Sequence, residues 1–171
     1  LTGRPARGYR SPGWELSRHS VELLVEHAFI YDSSMMGDDF TPYFARCGDA
    51  IELEQPARLG QQTSLVEMPI HWSTDDSPHF EFMRTATTLR QGLMNAGAVV
   101  DNWINDFLYM KGSTEWGILT YTCHPFVIGR GHRMMMLERL IRTCTENGAV
   151  FMTMEDAVAE FRKTETRPRK S

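Results

Sequence analysis

GILTYTCHPFVIGRGHR, residues 117–133, runs apolar and β-branched until it reaches His124 and turns at Pro125. The run ILTYTCH has the composition of a strand buried on both faces. Period two puts His124 on the side shared by Thr122 and Thr120. An ionisable ring therefore stands at the C-terminal end of a predicted strand, where parallel α/β folds place their active sites. A histidine there can deliver or remove a proton near neutrality. Taken alone, it reads equally as a hydrogen-bonded structural residue before a proline turn.

Downstream, RMMMLERLIRTCTENG (133–148) carries Met134, Leu137, Leu140, Ile141 and Cys144 at helical spacing and ends on the C-cap signal Asn147-Gly148. VFMT (150–153) predicts a short strand and MEDAVAEFRK (154–163) a helix. Upstream, Gly8-Tyr9-Arg10 predicts a brief strand leading into the loop RSPGW (10–14). SRHSVELLVEHAF (17–29) predicts a helix with Ser17 as N-cap. FIYDSS (29–34) and SLVEMPIHW (64–72) read as strands, the second troubled by its proline. Residues 79–110 read as mostly helical with a break near Gly92 to Gly97. Strand and helix alternate through about five units, which predicts an α/β fold of βα units on a parallel sheet or barrel.

Composition narrows the function classes. With 171 residues, 42% apolar and 11% aromatic, the chain is long enough for one domain with a sizeable core. A net charge of −4 with both signs scattered gives no basic stripe, so nucleic acid and membrane are not expected partners. Cys47, Cys123 and Cys144 are widely spaced, without a C-x-x-C pair, and suggest neither a disulfide framework nor a thiolate zinc site. No run approaches the length of a spanning helix and no secretory signal opens the chain, so a reducing, cytoplasmic compartment is expected. The chain begins at Leu1, so a targeting segment before it stays open.

Other strand ends supply companions for His124. Arg10 is a fixed cationic fork suited to holding a carboxylate, or a surface ion-pair partner. Asp32 can orient a histidine and favour its charged form, or cap a turn with Ser33 and Ser34. Trp14 and Trp72 fall on predicted active-face loops and can stack on a sugar or heterocycle, or pack in the core. His19 and His27 lie eight residues apart on one helix, too far to chelate. His71 and His79 flank Asp75 and Asp76, the one cluster of zinc-suited types, but the spacing matches no standard site and reads as a polar loop. His132 reads as a helix-start residue, and the methionines at 35, 36 and 134–136 as core filling.

Arg10-Ser11-Pro12, Tyr31-Asp32-Ser33-Ser34, Trp72-x-x-Asp75-Asp76 and Thr122-Cys123-His124-Pro125 with Phe126-Val127-Ile128-Gly129-Arg130, in that order, resemble the polysaccharide deacetylase (NodB-homology) family. The similarity is greatest to its branch of allantoinase-like enzymes, cyclic imide hydrolases and a peptidoglycan deacetylase. The resemblance implies a distorted (β/α) barrel that hydrolyses non-peptide C–N bonds with a divalent metal, zinc being the expected ion. It implies that His124 is the general acid, that Asp32 tunes it, and that Arg10 holds a catalytic aspartate base. It further implies substrate contacts from Trp14, Trp72, Asp76 and Thr122, and a glycan or small cyclic amide, imide or ureide as substrate. Thr122 departs from the apolar residue many relatives place there, which puts one wall of the acyl pocket in question.

The family's opening aspartate motif and its His-x-x-x-His metal pair are missing, and only nine residues precede Arg10. The chain is accordingly expected to be the C-terminal part of the catalytic domain over 1–163, with a polar tail at 164–171 and the metal ligands outside it. The missing N-terminal half is an expected partner, as is a second copy of the chain, and the piece alone is expected to be inactive. The alternative is a non-catalytic module that binds a glycan or other ligand.

Overall fold

The structure is a computed structural model describing residues 3–165. The tail read at 164–171 lies outside the described residues from 166 onward, Thr164 and Glu165 finishing the last helix. In chain order the elements are β1 (Gly8–Tyr9), α1 (Ser20–Glu26), β2 (Tyr31–Asp32), β3 (Tyr43–Cys47), β4 (Gln61–Glu67) and α2 (Asp76–Phe80). There follow β5 (Met83–Arg84), β6 (Leu89–Arg90), α3 (Ala96–Ser113), α4 (Pro125–Ile128), α5 (Gly131–Glu146) and α6 (Met154–Glu165). They divide into two compact units, Leu1–Pro69 with Met152–Ser171, and Ile70–Phe151.

The first unit is built on a sheet of order β1-β2-β4-β3, in which β1, β2 and β4 run parallel and β3 is antiparallel to β4. Gly8 pairs with Tyr31, whose ring fills the space over it: a Cβ on Gly8 would lie 1.8 Å from Tyr31 Cζ. Leu65 and Val66 on β4 are fully buried, as a strand covered on both faces requires. Leu24 of α1, Ala45 of β3 and Leu65 form a core cluster with Tyr9, Val21, Phe29 and Met35 packed around it. Ala157, Val158 and Phe161 of α6 are also buried, and the Phe161 ring lies 5.5 Å from that of Phe44.

Local chemistry moves several boundaries. Helix α1 starts at Ser20 with His19 in the N-cap position, while the Ser17 hydroxyl bonds that of Ser20 at 3.0 Å in the turn before. It ends where Ala28 takes φ 57° and Phe29 N donates to Leu24 O, a left-handed cap that glycine usually fills. Strand β4 stops at Glu67, two residues before Pro69, which has no N–H for a ladder. Strand β3 has no apolar alternation of its own and owes its conformation to pairing along β4, from Val66 and Glu67 back to Gln61.

In the second unit α3 and α5 pack together. Asn95 caps α3 by accepting from Ala98 N, and Val99, Val100, Trp103, Ile104, Phe107 and Met110 form its buried face. On α5 the buried residues are Arg133, Met136, Leu140 and Cys144, whereas Met134 and Ile141 of the expected face are exposed. Arg133 enters the core because its guanidinium lies over the Phe80 ring at 4.6 Å and donates to Val127 O. The expected helix over 79–110 begins only at Ala96. Ahead of it Met83–Arg84 and Leu89–Arg90 form a hairpin, closed by Thr85 Oγ1 accepting from Thr87 N and Thr88 N, bonds that compete with helix.

Of the five strand runs read from sequence, those at β1, β2 and β4 form a parallel ladder. Ile118–His124 forms no ladder and makes a single parallel bridge, Thr122 to Asp75, and Val150–Thr153 takes no regular secondary structure. No helix of the described residues is long and apolar enough to cross a membrane.

Candidate active site

Pro125 occupies the first turn of α4 and disfavours helical backbone at His124, which sits at the N-cap position with φ −96° and ψ 125°. The bridge between Thr122 and Asp75 sets the opposing segment in register: Thr122 N donates to Thr74 O, and Asp76 N donates to Thr122 O. The fully buried Asp76 is thereby brought against His124 from 48 residues away in sequence. Its Oδ2 accepts from His124 N at 2.8 Å and its Oδ1 meets His124 Nδ1 at 2.6 Å.

A carboxylate only accepts, so the proton of that short bond belongs to Nδ1. Nε2 is left as the working nitrogen, without a partner among the described residues, on a side chain 38% exposed. The bond to Asp76 raises the His124 pKa above the ordinary histidine range, assisted by the charges of Asp75 and Asp76 and opposed by partial burial. Asp75 Oδ1 lies 3.8 Å from Nδ1 and also accepts from Ser77 N, capping α2. The neighbouring thiol of Cys123 is pushed up to about 12 by burial and by the charges of Asp76 and Asp75, which leaves it neutral and unsuited to nucleophilic attack.

Asp75, Asp76 and His124 each offer a ligand atom within 4.8 Å of the others, a set of the types that can hold a metal ion. Their arrangement here is that of a hydrogen-bonded pair. Two donors held tetrahedrally by one ion at ~2.1 Å would stand about 3.4 Å apart, and the 2.6 Å between Nδ1 and Oδ1 is the span of a shared hydrogen. The group as arranged does not fit a bound cation.

Upstream of Asp75 and Asp76 in the chain, Trp72 lies in the one-turn helix Trp72–Thr74 and is 41% exposed. The Phe126 ring, 68% exposed, stands 5.7 Å from that of His124. Thr122 contributes its backbone to the bridge. Phe126 stands beside the dyad without being singled out from sequence, although its place two residues beyond the candidate acid is a legible signal.

The other candidates gather in the first unit. Arg10 Nε donates to Ser33 O at 3.1 Å and its Nη2 to Ser33 Oγ at 2.8 Å. Pro12–Trp14 turns immediately after, with Gly13 at φ 62° and Trp14 at φ 59°, a left-handed conformation that is uncommon for a bulky side chain and concentrates at functional loops. Asp32 is fully buried and accepts from Ser34 Oγ at 2.8 Å. Burial pushes its carboxyl above the ordinary range, opposed by Ser34 and, more weakly, by Arg10. Beside it stands Glu67, which the sequence reading misses; its signal is a charge within the apolar run SLVEMPI. Arg10 and Asp32 thus share one cluster, and His124 and Asp76 another.

The sheet of parallel β1, β2 and β4 in one unit, and the histidine–aspartate pair before a proline turn in the other, define an α/β protein with a candidate acid–base site. No family model matches the chain. It is 32% identical over 178 residues to the peptidoglycan deacetylase of Helicobacter pylori, covering 98% of this chain and 60% of that protein. It is 26% identical to the peptidoglycan deacetylase-like protein FGM2 of Gibberella zeae, covering 94% and 53% respectively. A solved structure named as a polysaccharide deacetylase, from Mycobacterium smegmatis, superposes with a TM-score of 0.73 at 27% identity over 96% of this chain and 52% of its own. PuuE allantoinase, at 20% identity and a TM-score of 0.64, shares the fold. These matches support a member of the polysaccharide deacetylase family and show its distorted (β/α)-barrel fold class; the chain spans three fifths or less of the length of these curated relatives.

Proposed function

We propose that this chain is part of a hydrolase of non-peptide C–N bonds, in which His124 protonates the departing nitrogen. The observation that carries the reading is the bidentate hold of Asp76 on His124, through the backbone N and ring Nδ1. That hold favours the imidazolium, fixes the ring and aims Nε2–H away from the buried carboxylate. A leaving amine needs one proton as its bond to carbon breaks. Support for the reaction class comes from the names of the relatives, a peptidoglycan deacetylase among them.

In this reading Asp76, by direct contact, is the carboxylate that tunes the acid, and Asp32 belongs to the cluster behind Arg10. Arg10, fixed on Ser33, offers its guanidinium to a catalytic carboxylate. Trp72 and Phe126 are the aromatic surfaces offered to an N-acetyl sugar or a cyclic amide, imide or ureide. Metal dependence is proposed for the whole protein, while the proton transfer from His124 rests on the dyad alone.

The test is His124→Ala in the longest protein carrying this chain, assayed by amine or ammonia release from an N-acetylated glycan, a cyclic imide and allantoin. A loss of roughly 10² to 10⁴ in kcat with unchanged metal content is expected. Near-normal kcat on the preferred substrate would overturn the acid role.

A further inference from the structure

Asp32 on β2 and Glu67 on β4 are register partners on neighbouring parallel strands, and both are fully buried. Partners in register share a sheet face, so the two carboxyl groups stand side by side. Each has one oxygen served: Asp32 Oδ1 by Ser34 Oγ, and Glu67 Oε1 by Ser34 N at 2.8 Å and Met35 N at 2.7 Å. The remaining oxygens, Asp32 Oδ2 and Glu67 Oε2, are buried without a donor among the described residues. Two desolvated anions in contact, each with an orphan oxygen, are costly, whereas one proton between the orphans satisfies both.

We propose that Asp32 and Glu67 share a single proton at neutral pH, and that this singly charged pair anchors the turn on which Arg10 is positioned. The connections are explicit. The pair pins Ser34 through its hydroxyl and its N–H, and Ser34 Oγ in turn accepts from Ser11 N at 2.9 Å. Ser33, in that pinned turn, presents both acceptors of the Arg10 guanidinium. Glu67 is thus a positioning residue acting through Arg10.

The charged and titratable groups facing the pair are consistent with one net negative charge. Arg10, past β1, favours an ionised Asp32. Tyr43 on β3 is the register partner of Glu67, and burial with the Glu67 charge pushes its phenol up to about 12, so it stays neutral. Asp38 acts on the same phenol in the same direction. Burial, then the Asp32 charge, pushes Glu67 up to about 8.

The test uses the chain itself and no turnover, so its outcome is separate from the hydrolase reading. Carboxyl carbons of Asp32 and Glu67 are titrated by ¹³C NMR while exchange of the Arg10 Nε–H is followed. One of the two carboxyls is expected to stay protonated at about pH 7, where an unperturbed carboxylate is ionised. Glu67→Gln keeps an oxygen for Ser34 N and Met35 N and offers N–H to the orphan of Asp32, so the Arg10 Nε–H should stay protected. Asp32→Asn with Glu67→Gln removes the anion, and protection of that proton should drop at least tenfold.

Stability gives a second readout. Because Glu67 holds its proton in the folded state above its unfolded pKa, its contribution is full below the ordinary carboxylate range and is lost as pH rises towards about 8. Across that interval the unfolding constant of the native sequence should rise about tenfold per pH unit relative to Glu67→Gln. Both carboxyls of the native chain ionising below about pH 5, where unperturbed carboxyls titrate, would overturn the shared proton. Unchanged Arg10 Nε–H protection in the folded double variant would overturn the positioning role.

Discussion

Replacing Asp76 by Asn tests the dyad at its most informative atom. The side chain is nearly isosteric, but a carboxylate that accepts twice becomes an amide that accepts on one side and donates on the other. If its oxygen keeps the His124 backbone N–H, its NH₂ faces Nδ1 and forces the proton onto Nε2 of a neutral ring. If the oxygen turns to the ring, the amide opposes a backbone N–H. Either way the charged imidazole loses the bond that favours it, so its pKa falls.

The backbone bond is common to both protonation states, so only the 2.6 Å ring bond discriminates between them. Hydrogen bonds to charged groups are worth about 1.5–3 kcal/mol. The ring is 38% exposed, and solvent screening places the loss at the low end, about 1.5 kcal/mol. Added to misplacement of the proton, this predicts a fall in kcat of roughly 10² in the whole protein. On the chain itself, an NMR titration of the His124 ring should show its midpoint moving down in Asp76→Asn and less in Asp75→Asn, whose carboxylate stands 3.8 Å away. An unmoved midpoint in Asp76→Asn would refute the dyad.

Three further outcomes are expected. Gly8→Ala forces a Cβ to within 1.8 Å of the Tyr31 ring and should destabilise the chain by about 3 kcal/mol in denaturant melts; an unchanged midpoint would refute the Gly8–Tyr31 register. Ala28→Gly relieves a residue at φ 57°; the left-handed cost of ~1–2 kcal/mol, less the entropy lost by glycine, leaves a gain of about 0.5–1 kcal/mol, read as a higher Tm. Zinc titrated calorimetrically into the chain should show no tight stoichiometric binding, since coordination at Nδ1 and Oδ1 would break the His124–Asp76 bond; tight binding that Asp76→Asn abolishes would show the group to be a cation site.

The legible parts of the sequence are those whose physics is local. Pro125 dictates an extended His124 whatever surrounds it, and the Pro-Gly loop after Arg10 turns as its composition demands. The three parallel strands are marked by their apolar runs, and α5 and α6 by their spacing. Pairing across distance is not legible in the same way. Asp76 meets His124 from 48 residues away, and nothing in the doublet Asp75-Asp76 tells which carboxylate faces the ring. The alternation of ILTYTCH matters less than the one bridge that sets this register. Strand β3 exists because β4 pairs with it, and the stretch 83–90 folds as a hairpin because Thr85 binds its own turn. The buried face of α5 is displaced because Phe80 and Val127 give Arg133 a cation–π and a hydrogen-bond partner that no helical period could foresee.

Asp32, Glu67 and Asp76 are equally buried, yet their neighbours give them opposite uses. Asp76 receives two N–H groups from one residue, and its negative charge is spent on holding a cation ready to give up a proton. Asp32 and Glu67 receive hydroxyl and amide donors on one oxygen each and face one another with the rest, so their lowest-energy state keeps a proton rather than handing it on. Burial alone could not separate the three. The partner at each remaining oxygen does, a ring nitrogen in one case and a second carboxyl in the other. This is why a substitution that preserves shape and removes charge should damage the site at Asp76 and be absorbed at Glu67, where the native group already carries the proton that an amide imitates.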